Sequence, residues 1–168
     1  MIKTFRNQTP NVPDSAFVAE TALVMGEVTL GECCGVWPGA VIRGDFAHIQ
    51  IGDGTIIEDN VVVHTGREMT IGENVIVGHG AVVHCRRIGN NSLIANNATV
   101  LDDAEVGSFC IIGAGAVVSP GMVIPDRSLV FGVPAAIAGE VKPRQLERLE
   151  RGNASYLEMF EQYRKDGI

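Results

Sequence analysis

No two cysteines of this chain have the spacing of a metal knuckle or a redox pair. Cys33 and Cys34 are adjacent, Cys85 and Cys110 lie far from them, and no C-x-x-C occurs. Adjacent cysteines are poor candidates for bridging each other, so all four read as small core fillers of a reducing compartment, and the spacing argues against a zinc-thiolate site. Basic charge is also in short supply. Thirteen Lys and Arg against twenty Asp and Glu leave a net charge of −7, which argues against nucleic acid or an anionic membrane as partner. No cationic stretch followed by an apolar one opens the sequence, and no apolar run reaches the roughly 18 residues a membrane span needs. A cytoplasmic protein is the expectation. Its 168 residues, 46% hydrophobic and 20% charged, suffice for one domain with a full core.

What the chain does have is a six-residue beat of aliphatic residues. Val18, Val24, Leu30, Val36 and Ile42 keep it, then Ile51, Ile57 and Val63, then Ile71, Val77 and Val83, and finally Ile88 through Val130 in steps of six. Glycine often follows the beat, as at Gly31, Gly52, Gly72, Gly78, Gly89, Gly107 and Gly113. Short β-branched segments between Gly, Asn, Asp and Pro turns cannot bury a face alone and must stack on one another. The rungs of such a stack lie about 4.8 Å apart. Residues 1–12 form a lead-in segment, and Val133, Pro134 and Ala135 close the repeat, since proline breaks strand pairing. The expected division is a β-solenoid domain over 1–140 and a helical segment packed on it over 141–168. Pro143 can open that helix, and Leu146, Leu149, Leu157 and Phe160 have helical spacing. Gly152 is expected to bend it, or split it in two, around residues 150–153.

The beat fails three times. Ile42 to Ile51 is three residues too long, Val63 to Ile71 two too long, and Val83 to Ile88 one too short. Extra residues must loop out, and loops on a rigid scaffold are where function gathers. Each break adjoins Arg43, His64 or His84.

The repeat resembles a family of β-solenoids in which three hexads make one triangular rung, and the resemblance implies a three-sided prism on which side chains can be placed. With Val63 on a first face (A), Ile71 falls on B, Val77 on C and Val83 on A again. The residues directly after each A-face beat are Met25, Arg43, His64, His84, Leu101 and Ser119, one per rung, so Arg43, His64 and His84 stack as neighbours. His79 lies two places after Val77 on face C, above Asp59, with Glu58 beside it. His64 and His84 are close enough to share a metal such as zinc, which takes imidazole nitrogens at about 2.0–2.1 Å. His79 points elsewhere and can join them only if face A of one subunit meets face C of another in a homotrimer. Three imidazoles leave a fourth position open, the arrangement of catalytic rather than structural zinc. The alternative is three ordinary polar side chains on a solenoid wall. His48, in the first inserted segment, reads as a surface histidine.

The repeat over residues 13–138 resembles the left-handed β-helix family, in which three hexads make a rung; that handedness is implied by the resemblance. The fold class is thus an all-β solenoid, a single-stranded left-handed parallel β-helix with a C-terminal α-helix. Arg43-Gly44-Asp45, Ile51-Gly52-Asp53-Gly54-Thr55, Glu58-Asp59-Asn60-Val61-Val62-Val63-His64 and Gly78-His79-Gly80-Ala81-Val82-Val83-His84 are similar to the γ-class carbonic anhydrase family, in its short-loop branch. The resemblance implies a trimer whose metal, zinc or alternatively iron or cobalt, lies between subunits on His64 and His84 of one chain and His79 of the next. It implies reversible hydration of carbon dioxide to bicarbonate, with water acidified to hydroxide near neutral pH. It makes Arg43 and Asp59 an ion pair across the interface, Arg43 and Asp45 either catalytic or a structural lock, and Tyr156 a residue near the site. Many members carry Gln where Glu58 stands; a carboxylate there can accept the same hydrogen bond or act as a base. Ile56 replaces a frequent Asn. Phe46 follows the Arg-Gly-Asp run where better-known members carry acidic proton shuttles, leaving Glu68 as a substitute. A slow anhydrase is one expectation. A metal-dependent thioesterase acting on a small acyl thioester, a hexapeptide-repeat acyltransferase (Gly132-Val133-Pro134-Ala135 occurs in both groups) and a non-catalytic trimeric scaffold are the others.

Overall fold

The computed structural model describes residues 1–166, the side chains of Glu150, Leu157, Glu161 and Arg164 excepted. The part expected of Leu157 in the helix packing therefore lies outside the described residues. The beat is the register of the fold. Val24, Ile42, Val63, Val83, Val100 and Val118 pair in one parallel ladder, face A. Leu30, Ile51, Ile71, Ile88, Val106 and Ile124 form face B. Val18, Val36, Ile57, Val77, Ile94, Ile112 and Val130 form face C. The coil is a left-handed parallel β-helix. Every beat residue but Val18 is buried, so one column of aliphatic side chains fills the prism from end to end.

The glycine after a beat has a local cause. At Gly107, an added Cβ would lie 2.5 Å from Asp126 Oδ1 of the next rung. That oxygen accepts the Ser108 N–H at 2.8 Å. That corner donates a backbone N–H to an Asx side chain arching over from the neighbouring rung, as do those at Glu32 to Asp53 and Glu73 to Asn90, and only glycine leaves room for it.

The first break is not a detached loop. Val41–Ile51 remains one strand, paired along Leu23–Leu30, but the register jumps from Gly26↔Gly44 to Val28↔Ile49. Residues 45–48 bulge outward opposite Glu27 alone, which is how a strand absorbs extra residues without losing its ladder. Gly26, at φ +81°, faces this bulge, and a Cβ there would run into the Gly44 carbonyl. The second break is a turn over 65–68 tied by the Thr65 hydroxyl, which accepts the Arg67 N–H and donates to the Arg67 carbonyl.

Both ends differ from the simplest expectation. The lead-in adds a parallel strand, Ile2–Lys3, beside Leu23–Leu30. After the cis Val133–Pro134 peptide the chain reverses, and Ala136–Glu140 pairs antiparallel to Ser128–Phe131. The expected bend at Gly152 is absent: Pro143–Asp166 is one helix. The roughly 1 kcal/mol that a mid-helix glycine costs is offset by anchoring of the residues that follow it. Asn153 donates to the Gly54 carbonyl at 2.8 Å. Tyr156, Phe160 and Tyr163 enter an aromatic cluster with Phe17 and Trp37. None of the described residues belongs to a helix long and apolar enough to cross a membrane.

All four cysteines are free, and only Cys33 is exposed. Burial pushes the Cys34 thiol up to about 11 and the Cys85 thiol to about 12, and raises Cys110 as well. A thiol reagent at pH 8 should therefore modify one cysteine per native chain and four after denaturation. Rapid reaction of two or more in the native protein would contradict this packing.

Candidate active site

The ladders place the expected residues in two groups. On face A, Arg43 pairs with Met25 on one side and His64 on the other, and the Val63–Val83 pairing sets His84 on the next rung. These side chains form a chain of contacts. Arg43 donates to Asp45. Asp45 Oδ1 is 3.0 Å from His64 Nε2, and His64 Nδ1 is 3.2 Å from His84 Nε2. His84 Nδ1 in turn lies 3.1 Å from Asp102 Oδ1. Burial tends to raise the Asp45 carboxyl, but the hydrogen bond and charge of Arg43, with the His64 bond, hold it below the usual carboxylate range. Burial and then the Arg43 charge push the His64 imidazole below its ordinary value, which favours the neutral ring at pH 7.

Each imidazole of the pair thus turns one nitrogen to a carboxylate and the other to a common point. That is the pattern of metal-ligating histidine, whose far nitrogen is oriented by an acid. The 3.2 Å separation also fits, since two nitrogens at 2.0–2.1 Å from a tetrahedral ion stand about 3.3 Å apart. Asp102 escaped the sequence reading; it follows Leu101, the next residue of the same column, and that position was the available signal. Asp102→Asn should weaken metal binding about tenfold to a hundredfold, measured by competition with a chromophoric chelator, without altering the melting midpoint of the metal-free protein.

The second group lies on face C. Glu58 is buried; it accepts the Tyr156 hydroxyl and the His79 backbone N–H, the latter at 2.9 Å. His79 Nε2 is 3.0 Å from Glu58 Oε2, and its Nδ1 is 2.8 Å from Asp59 Oδ2. Burial, then the hydrogen bond to Glu58, push the Tyr156 phenol well above its ordinary value, which keeps it a donor at neutral pH. A pocket of about 280 Å³ opens here, walled by Trp37, Tyr156, Met159 and Tyr163 and edged by Asp59 and His79. Ile56 is wholly buried among the core side chains. His48 Nε2 meets the Thr29 hydroxyl at 3.0 Å, and Glu68 is exposed in the 65–68 turn.

Within one chain Arg43 is bonded to Asp45 rather than to Asp59, and His79 does not join His64 and His84. Among the described residues no three His, Cys, Asp or Glu side chains converge on one point.

The outward residues, one before each beat, distinguish the faces. On B they are Thr29, Gln50, Thr70, Arg87, Glu105 and Val123, a mostly polar row. On C they are Phe17, Gly35, Ile56, Ile76, Leu93, Ile111 and Leu129, and the first four lie buried where the helix packs. On A they are Leu23, Val41, Val62, Val82, Thr99 and Val117, with Val62 and Val82 exposed. Face A is an apolar wall with no cover of its own.

The family described as bacterial transferase hexapeptide (six repeats) matches residues 87–120. "Gamma carbonic anhydrase 3, mitochondrial" of Arabidopsis thaliana is 44% identical over 61 residues, 36% of this chain and 24% of that protein. "Carbonic anhydrase" of Geobacillus kaustophilus is 39% identical over 64 residues, 38% of this chain and 35% of that one. The chain therefore spans about a quarter to a third of these curated relatives. A crystal structure of a hexapeptide transferase family protein from Anaplasma phagocytophilum is 31% identical, with a TM-score of 0.92 over 96% of this chain and 97% of that one.

Proposed function

The chain belongs to the hexapeptide transferase family, and we propose that within it this protein is a metal-dependent hydratase of the γ carbonic anhydrase kind. It interconverts carbon dioxide and bicarbonate at a site shared between subunits of a homotrimer. The observation that carries this is the His64–His84 pair, two imidazole nitrogens that meet at 3.2 Å with a carboxylate behind each ring. The 44% identity to a γ carbonic anhydrase supports it. His64 and His84 of one chain and His79 of the next would hold the metal, zinc or alternatively iron or cobalt. Bound there, it supplies the Lewis acidity that makes water a competent nucleophile near neutral pH.

The chain's own residues do the rest. Asp45 fixes the His64 ring, and Arg43 keeps Asp45 ionised. On the facing subunit, the Tyr156 hydroxyl and the His79 N–H hold the Glu58 carboxylate in one orientation. Glu58 then accepts the proton that water loses as its oxygen bonds to the carbon of carbon dioxide. The uncovered wall of face A supports the trimer: an apolar row over successive rungs is what a subunit interface buries.

Acyl transfer is the second reading, favoured by the family match itself. That match covers 87–120, a stretch without histidine, so it reports the repeat rather than any chemistry. Metal analysis together with stopped-flow carbon dioxide hydration on the zinc, cobalt and anaerobic iron forms tests the proposal. About three metals per trimer with metal-dependent hydration is expected. Tight acetyl-CoA binding with no hydration would favour acyl transfer, and full metal without hydration would shift the substrate to a small acyl thioester.

A further inference from the structure

Phe46 is out of place on the surface of one chain. It is 74% exposed, it sits at the crest of the 45–48 bulge, and its ring stands edge-on to His64 with centroids 5.7 Å apart. An aromatic side chain held out on a built bulge gains nothing from water. The molecule also has an apolar hollow, the pocket walled by Trp37, Tyr156, Met159 and Tyr163. Its rim carries His79 and Asp59. Resting on the intersubunit reading above, we propose that Phe46 of one subunit seats in the aromatic pocket of the next and closes it.

The geometry leads to this through the histidines. A shared metal would bring His79 of one subunit within two coordination bonds, each about 2 Å, of His64 of the other. Phe46 packs on His64 and the pocket opens at His79, so the exposed ring and the hollow meet at the same joint. Charge agrees: Arg43 lies three residues from Phe46, and Asp59 lies on the rim of the pocket. Size permits it, since about 280 Å³ is more than the roughly 150 Å³ that suffices for a benzene ring. Face A supplies the continuity, because Val62 and Val82 need cover on the same side of the prism. The second copy is therefore the occupant, and the closed joint walls the reaction centre off from bulk water on the Phe46 side.

The test is a cross-link in a Cys33→Ser background, which removes the one exposed thiol. Phe46→Cys and Met159→Cys are combined in that chain, purified as the trimer and oxidised with diamide. Most of the chain should then run as covalent dimer and trimer without reductant, since Cα separations suited to a disulfide, roughly 4.4–6.8 Å, recur only where the two sites face each other. A control pairing Phe46→Cys with Thr70→Cys, on the polar face B, should form the trimer but run as uncross-linked single chains on the same denaturing gel. Phe46→Ala in the otherwise native protein should weaken assembly about tenfold to a hundredfold per interface. It should also admit an apolar dye such as anilinonaphthalene sulfonate, about three per trimer, that the native trimer excludes. Metal-loaded trimers that neither cross-link nor exclude the dye would overturn the seating of Phe46 while leaving the shared metal site standing. A protein that is monomeric by light scattering would overturn both.

Discussion

His64→Ala and His79→Ala should each empty the protein of metal and lower carbon dioxide hydration by more than about a hundredfold. Orienting residues behind a ligand already cost 10–100-fold, and a ligand costs more. The equal severity is what matters. Within one chain His79 touches Glu58 and Asp59 on face C, while His64 contacts Asp45 and His84 on face A. Read from a single chain, His79→Ala should spare a metal held by the His64–His84 pair. Its loss follows only if the third ligand belongs to a neighbour. Both variants should melt close to the wild-type metal-free protein, because neither ring is part of the buried column.

The second large effect comes from residues with no chemistry. Val62→Glu with Val82→Glu should turn the trimer into folded monomers and abolish metal retention with every ligand intact. Both side chains point outward and are exposed in the single chain, so the monomer tolerates the change. In the trimer the same positions would bury two stacked carboxylates per interface without partners, at a cost of several kcal/mol each. Sedimentation shows the assembly state, and circular dichroism shows that the β-helix survives. An unchanged trimer would mean that face A is not the interface. Thr70→Glu, on face B, is the matched control and should leave the trimer as it is.

How much of this was legible in the sequence varies with the physical cause. The ladders were readable because burial fixes register: a residue on the beat must point inward, so Val63 could only stack between Ile42 and Val83, and His64 had to follow. The outward rows were readable too, by looking one residue before the beat, but the sign of their meaning depends on knowing that the helix covers C and not A. The bulge at 45–48 was legible as a count of extra residues and illegible as a shape. Whether three extra residues loop away or stay in a strand depends on Gly26 and Gly44 passing closely enough to keep the ladder. Gly152 was misread because propensity is a local cost, and here Asn153 and Tyr156 anchor the helix on the solenoid. Asp102 was missed because it precedes no beat and belongs to no motif; only the rung above His84 gives it a role. Arg43 engages Asp45, two residues along the same strand, and the proposed pairing with Asp59 would need a second subunit.

The most direct measurement mixes the two inactive proteins. His64→Ala and His79→Ala chains are dissociated, combined in equal amounts and reassembled with zinc. About a quarter of the interfaces, by random assortment in a cyclic trimer, pair an intact His64–His84 chain with an intact His79. Metal content and hydration should therefore recover to about that fraction, and neither variant alone should recover under the same treatment. Mixed trimers, verified by native mass, that remain without metal and without activity would show that the three histidines do not share a site between subunits.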